Sequence, residues 1–177
     1  MLPGADLGHV SSVKFRLLVS WLLAVAVIAT AASPALASGG RVYRHRLLAE
    51  INHVRAEHGL HALRRSRGLH RAAQHHSADM IARGYFGHTS PTGSTLQLRI
   101  LRSGFVYWGQ WCAGETLAWG TGSYGSPRAT VRMWLHSPEH RAILLSPRYG
   151  LIGIGRATGR FLGNSGAVVW TADFGHR

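Results

Sequence analysis

The last third of the chain sets the strongest constraint on its fold. Two runs rich in branched residues stand there, G-L-I-G-I-G-R-A (150–157) and G-A-V-V-W-T-A-D-F-G (166–175), joined through T-G-R-F-L-G-N-S-G. Both read as strands with a short connection. In the first, Gly153 and Gly155 alternate with Ile152 and Ile154, so one face of that strand lacks side chains and suits close approach of another backbone or side chain. Two further strand candidates come earlier, G-F-V-Y-W (104–108) and E-T-L-A-W-G (115–120).

Helical patterns dominate the part before them. Leu47, Leu48, Ile51, Val54 and His58 share one face of a helix that Gly59 would end. Leu69, Ala72, Ala73, His76, Met80 and Ile81 share the face of a second, stopped at Gly84. A third runs over S-T-L-Q-L-R-I-L-R-S-G with Ser94 as N-cap and Gly104 at its end. S-P-R-A-T-V-R-M-W-L-H is a fourth, with Pro127 suited to the first turn and Val131, Trp134 and Leu135 facing inward. Helices first and the clearest strands last predict an α+β fold with an antiparallel sheet, not a βαβ repeat.

Of the 177 residues, the first 37 read as a secretory signal: Lys14 and Arg16, then an apolar run, then Ala35-Leu36-Ala37 as an A-x-A cleavage site. The alternative is an uncleaved anchor, since the apolar run is long enough to span a bilayer. Residues 38–46 are expected to be a short basic tail, and 47–177 the folded domain. The formal net charge is +13, and Lys14 is the only lysine. The arginines are scattered from Arg41 to Arg177 rather than gathered in a mixed patch with aromatics, which argues against nucleic-acid recognition. The charge reads mainly as a compositional habit, with attraction to an anionic cell envelope as the alternative. With Cys112 alone, no intramolecular disulfide can form, and a small buried thiol is expected there.

His136, Glu139 and His140 spell H-x-x-E-H, a pattern shared with one class of zinc proteases. That site needs both histidines on one continuous helical face. Pro138 lies between them and is tolerated only as the start of a new helix capped by Ser137. The chain should bend there, leaving His136 at the surface.

Around this segment stand other landmarks: G-Y-F-G-H-T-S-P-T-G with His88 and Ser90, A-G-E-T-L-A-W-G with Glu115, W-L-H-S-P-E-H-R-A-I-L-L-S-P-R-Y-G-L-I-G-I-G with His140, and V-V-W-T-A-D-F-G. In this order and spacing the chain resembles the CAP superfamily of cysteine-rich secretory, antigen 5 and pathogenesis-related-1 proteins, in its compact bacterial secreted branch. The likeness covers about residues 47–175. It implies a three-layer α-β-α sandwich around a central antiparallel sheet, with a cleft to which His88, Glu115 and His140 contribute. A second family Glu would fall near Ser137 and is absent. Glu139 stands where bacterial members often have Gly. Thr116 and Ile143 replace two family asparagines.

The resemblance implies a cleft able to take a divalent metal such as zinc through His88 and His140, with Glu115 binding directly or orienting an imidazole. Ser90, Thr116, Ser137 and Glu139 are candidates for the supporting layer. The alternative is a purely structural network. No nucleophile and base stand out, although a protease-like hydrolase using the same cleft is the competing reading. The preferred expectation is a secreted, envelope-associated binding module for lipid, envelope polymer or protein. Such a module would make no stable membrane insertion once its signal is removed. Trp108, Trp111, Trp119 and Tyr124 could line an apolar groove. The remaining histidines of the N-terminal half (His45, His53, His58, His61, His70, His75 and His76) are expected to do nothing specific.

Overall fold

A computed structural model describes residues 34–106 and 111–177. The expected signal, apart from its last residues, lies outside them. Among the described residues, five helices and four strands follow in the order α1 (Pro34–Glu57), β1 (Arg64–Arg65), α2 (Arg67–Arg83), α3 (Leu96–Arg102), β2 (Cys112–Thr121), α4 (Pro127–His136), α5 (Pro138–Leu144), β3 (Leu151–Phe161) and β4 (Asn164–His176). A 3-10 turn joins β2 to α4. The sheet order is β1-β3-β4-β2, with β2–β4 and β3–β4 antiparallel. The fold is α+β, as expected. The two-residue β1, which the sequence reading missed, adds one parallel pairing to β3.

The sheet separates two helical layers. On one face Leu47 and Ile51 of α1, Val131 and Trp134 of α4 and Leu144 of α5 pack with Ile152, Ile154, Trp170, Ala172 and Phe174. On the other, Leu69, Ala72 and Met80 of α2 and Ile100 of α3 pack with Leu117, Phe161, Val169 and Phe105. Period-two alternation along β3 and β4 sends successive side chains to opposite layers.

The glycines of β3 are filled by α2. A Cβ at Gly153 would lie 2.0 Å from the Leu69 carbonyl carbon, and one at Gly155 would lie 2.1 Å from the Ala73 oxygen. The helix backbone therefore rests directly on the strand. Ser66 caps α2 by accepting from the Leu69 amide, and Gly84 ends it in the left-handed conformation at φ 68°.

Several local expectations need correction. Residues 38–46 are not a tail but the first part of α1, because no proline or glycine interrupts helix-forming arginines and leucines between 41 and 57. Its third inward position is Arg55, one helical turn beyond Ile51, while His58 is exposed past the helix end. Thr95, not Ser94, caps α3. Gly104–Val106 forms turn and loop instead of a strand, and residues 107–108 lie outside the description. The β3–β4 connection is a two-residue turn at Leu162 (φ 46°) and Gly163 (φ 84°), the geometry that matches strand twist. Cys112 is half-buried rather than buried.

Pro138 does divide the H-x-x-E-H segment. His136 is the last residue of α4, and His140 lies in α5, which Ser137 and Pro138 begin. The exposed His136 ring bonds the Arg132 carbonyl of its own helix at 2.7 Å.

Candidate functional site

The site lies along β2, the strand at one edge of the sheet. Glu115 projects from it toward the α2–α3 layer and is almost wholly buried, with 1% of its side chain exposed. A lone buried carboxylate is costly, so its partners define the site. Oε1 accepts from the His88 Nδ1 at 2.7 Å. Oε2 accepts from Arg99 Nη2 at 2.6 Å. Burial works to raise the Glu115 pKa, but the His88 bond and the Arg99 charge overcome it and hold the carboxyl below its ordinary value.

Arg99 also ties down the loop that carries His88. Its Nη1 donates to the His88 carbonyl at 3.0 Å and to the Ser94 carbonyl at 2.8 Å. His76 of α2 holds the preceding residue, bonding the Gly87 carbonyl at 3.0 Å through Nε2. Burial lowers the His76 pKa to about 4, so this ring is neutral at pH 7 and serves as a donor. These contacts leave the His88 side chain 57% exposed while fixing its orientation. Its bond to Glu115 raises its pKa above the ordinary value, with burial opposing. A neutral His88 donating from Nδ1 turns the lone pair of Nε2 outward.

Asp173 completes the buried cluster. It stands directly across the β2–β4 ladder from Glu115. The side chain is fully buried, and neither oxygen finds a donor from another residue. Burial and the Glu115 charge raise its pKa well above the ordinary value. Two adjacent buried carboxylates cannot both ionise. The Asp173 carboxyl is therefore the one pushed toward its neutral form.

His140 reaches the site from α5, which packs against β2 from the opposite helical layer. It is half-buried, and burial followed by the charge of His88 lowers its pKa. Glu139 is exposed beside it and acts in the opposite direction on both imidazoles. His88 and Glu115 are thus in direct contact, whereas His140 makes no described bond to either and is linked to them only through the effect of the His88 charge on its pKa.

The supporting candidates divide. Ser90 is buried in its own turn, where its hydroxyl accepts from the Ser94 amide at 3.0 Å and meets Thr92 at 2.8 Å. It makes no described bond to His88. Thr116 alternates to the other sheet face and is buried with its hydroxyl unpartnered. Ser137 caps α5 by position without a side-chain bond. Ile143 packs over Gly114 beside Tyr149. An apolar contact therefore occupies the place where the resemblance implied an amide.

The proposed aromatic groove does not form from the named residues. Trp111 precedes β2 and packs near Leu69 and Phe105, whereas Trp119, near the far end of that strand, stacks edge-on against Phe161 at 5.5 Å. Tyr124 is 69% exposed, and Trp108 lies outside the described residues. Among the described residues no three His, Cys, Asp or Glu side chains are arranged to hold a metal ion. Each Glu115 oxygen already accepts one bond, so the described geometry has it orienting His88.

Sequence reasoning missed Arg99, His76 and Asp173. His76 was legible as part of the inward face of α2, and that placement conflicts with treating it as an idle surface histidine. Asp173, beside Thr171 in β4, carried no such signal.

The family model described as the cysteine-rich secretory protein (CAP) family matches residues 48–174. The chain is 32% identical over 133 residues to YkwD of Bacillus subtilis, an uncharacterized protein, covering 75% of this chain and 46% of that protein. It is 36% identical over 110 residues to the uncharacterized membrane protein YlbC of the same organism, covering 62% and 30%. The chain thus spans less than half the length of these relatives. An extracellular SCP-domain protein from Bacillus anthracis superposes with a TM-score of 0.61 at 28% identity, covering 75% of this chain and 40% of that one. An outer surface protein of Borrelia burgdorferi superposes with a TM-score of 0.61 at 25% identity, covering 74% and 90%.

Proposed function

We propose, from the premise that this chain belongs to the cysteine-rich secretory protein family, that it is an exported binding module whose β2-edge cleft captures its ligand between His88 and His140. Those solved relatives are extracellular or outer-surface proteins, and no helix among the described residues is long and apolar enough to cross a membrane. Lipid, an envelope polymer or another protein is the ligand class. The apolar leader and its A-x-A site support export.

The observation that carries the binding reading is how the polar groups are used. Acyl transfer needs a nucleophile within reach of a base that a third group orients. His88 is oriented by Glu115, but no Ser, Thr or Cys hydroxyl or thiol bonds its ring among the described contacts. Ser90 is spent on its turn. What remains is a fixed imidazole with an outward nitrogen.

That arrangement fits a weak divalent-metal site. His88 Nε2 and His140 would be the protein ligands, and Glu115 would set the His88 tautomer, as carboxylates do behind metal-bound imidazoles. A bound zinc ion would supply Lewis acidity toward an oxygen-bearing ligand. Two protein ligands make the site exchangeable, unlike a closed structural zinc.

A turnover panel separates this from the hydrolase reading. Exported protein is expected to hydrolyse peptide, ester and glycan substrates no faster than its His140→Ala variant, with or without added zinc. Turnover that the substitution abolishes would make the cleft an active site.

A further inference from the structure

At the opposite edge of the sheet lies a cavity that the β2 cleft does not explain. Its volume is about 590 Å³, and it sits between α1, the β1–α2 junction and β3. Arg41 and Arg44 reach it from α1 and Arg65 and Arg67 from the junction. Arg41, Arg44, His45 and Leu48 follow i, i+3, i+4, i+7 spacing, so they form one face of the helix. Leu48 and the β3 edge from Ile152 to Ile154 form the floor, the isoleucines being 1% and 6% exposed, with Ser66 and His70 beside them.

Among the described residues no carboxylate lines this cavity. Nor, among them, is any of the four arginines in a salt bridge; Arg65 instead bonds the His45 ring at 2.9 Å. Burial and the charge of Arg41 lower the Arg44 pKa, the mark of a crowded cationic site. Arg67 occupies the first turn of α2, where the helix dipole opposes a cation. Arg41, Arg65 and Arg67 are exposed around the half-buried Arg44, and a bound oxyanion would relieve the repulsion that Arg41 exerts on Arg44. Guanidinium forks match phosphate oxygens in pairs. The apolar floor beneath them has no role for a bare anion.

We infer that this groove binds a phosphate ester with an apolar body, its phosphate held by Arg41, Arg44, Arg65 and Arg67 and its body lying over Leu48, Ile152 and Ile154. The volume suits a small molecule or a single headgroup with the start of its chain. The inference is independent of the His88–His140 cleft, and either can fail alone.

Calorimetry on the purified full chain tests it with hexyl phosphate, inorganic phosphate and hexanol. Hexyl phosphate is expected to bind about tenfold more tightly than inorganic phosphate, hexanol not at all, and the affinity to fall with added salt. An Arg44→Gln/Arg67→Gln double variant should lose about tenfold or more of that affinity. Arg65→Gln, at an exposed position, should lose a smaller part and covers the case in which the double variant does not fold. Arg132→Gln/Arg160→Gln, two exposed arginines away from the groove, should change binding less than about twofold. Equal loss in this control overturns the site and leaves only diffuse charge. Equal binding of phosphate and hexyl phosphate overturns the role of the apolar floor. Vesicles of phosphatidic acid in phosphatidylcholine then identify the source. Groove-dependent vesicle binding means a lipid headgroup, and hexyl phosphate binding without it means a soluble ester.

Discussion

At the scale of single residues, the cleft rests on how one buried negative charge is shared. Glu115 is held below its ordinary pKa between His88 and Arg99, while burial and the Glu115 charge push Asp173 opposite it well above its own. A neutral acid in the fold that ionises in the unfolded chain costs stability as pH rises. The raised Asp173 pKa means that this cost is absent below the unfolded value near 3.8 and grows from there toward neutral pH. Asp173→Asn preserves the shape and a donor for Glu115 but removes the titration. It is expected to raise Tm at pH 7 relative to the parent, with the difference shrinking toward pH 4, as thermal unfolding across that range would show. A lower Tm at pH 7 would mean that Asp173 is ionised in the fold. Arg99 behaves in the opposite sense. Arg99→Met strands Glu115 and releases the His88 carbonyl, and a loss of about 3–5 kcal/mol is expected in denaturant titration. The resemblance to the family pointed to His88 and Glu115 in the sequence. Arg99 and Asp173 stayed hidden because an arginine in a short helix and an aspartate in a strand ordinarily face water. Here they are inside only because each supplies what Glu115 lacks.

At the scale of elements, α2 and β3 hold the site in register. The helix backbone rests on Gly153 and Gly155, and the same helix delivers His76 to the Gly87 carbonyl just before His88. Gly155→Ala places a methyl 2.1 Å from the Ala73 oxygen, so helix and strand must separate. Backbone cannot yield as a side-chain tip can. A destabilisation of at least about 3 kcal/mol is expected from urea unfolding. Stability close to the parent would show that the notch is not needed. These glycines were readable in advance because alternation with isoleucine left one strand face bare. The break at Pro138 was readable for an equally local reason, the missing amide of proline. The helical start at residues 34–46 was not, since charged residues without an apolar stripe look like tail until packing of Leu47 and Ile51 extends the helix backwards. Arg55 escaped for another reason. It donates at 3.0 Å to the nearby His61 carbonyl, but also at 2.6 Å to that of Leu144 and at 3.0 Å to that of Ser146, both from a distant part of the chain.

At the scale of the whole molecule, two features occupy opposite sheet edges: a histidine cleft along β2 and an arginine groove beside β1. Both belong to a domain whose relatives are extracellular or surface proteins, and export of this chain should leave Ser38 as the first residue. N-terminal sequencing of exported protein beginning before residue 30 would instead favour a tethered form. The most direct test of the account is zinc calorimetry at pH 7 on the parent and on His88→Ala, His140→Ala and His136→Ala variants. Background from exposed histidines is reduced by placing His45→Ala, His53→Ala, His58→Ala, His61→Ala, His75→Ala and His176→Ala in every protein, while the buried His76 is left intact because it anchors the His88 loop. Losing either His88 or His140 is expected to weaken binding by about tenfold or more, and losing His136, set apart by Pro138, to change it little. If His136→Ala abolishes binding while His88→Ala leaves it intact, the metal belongs to the H-x-x-E-H segment and the cleft described here is not its site.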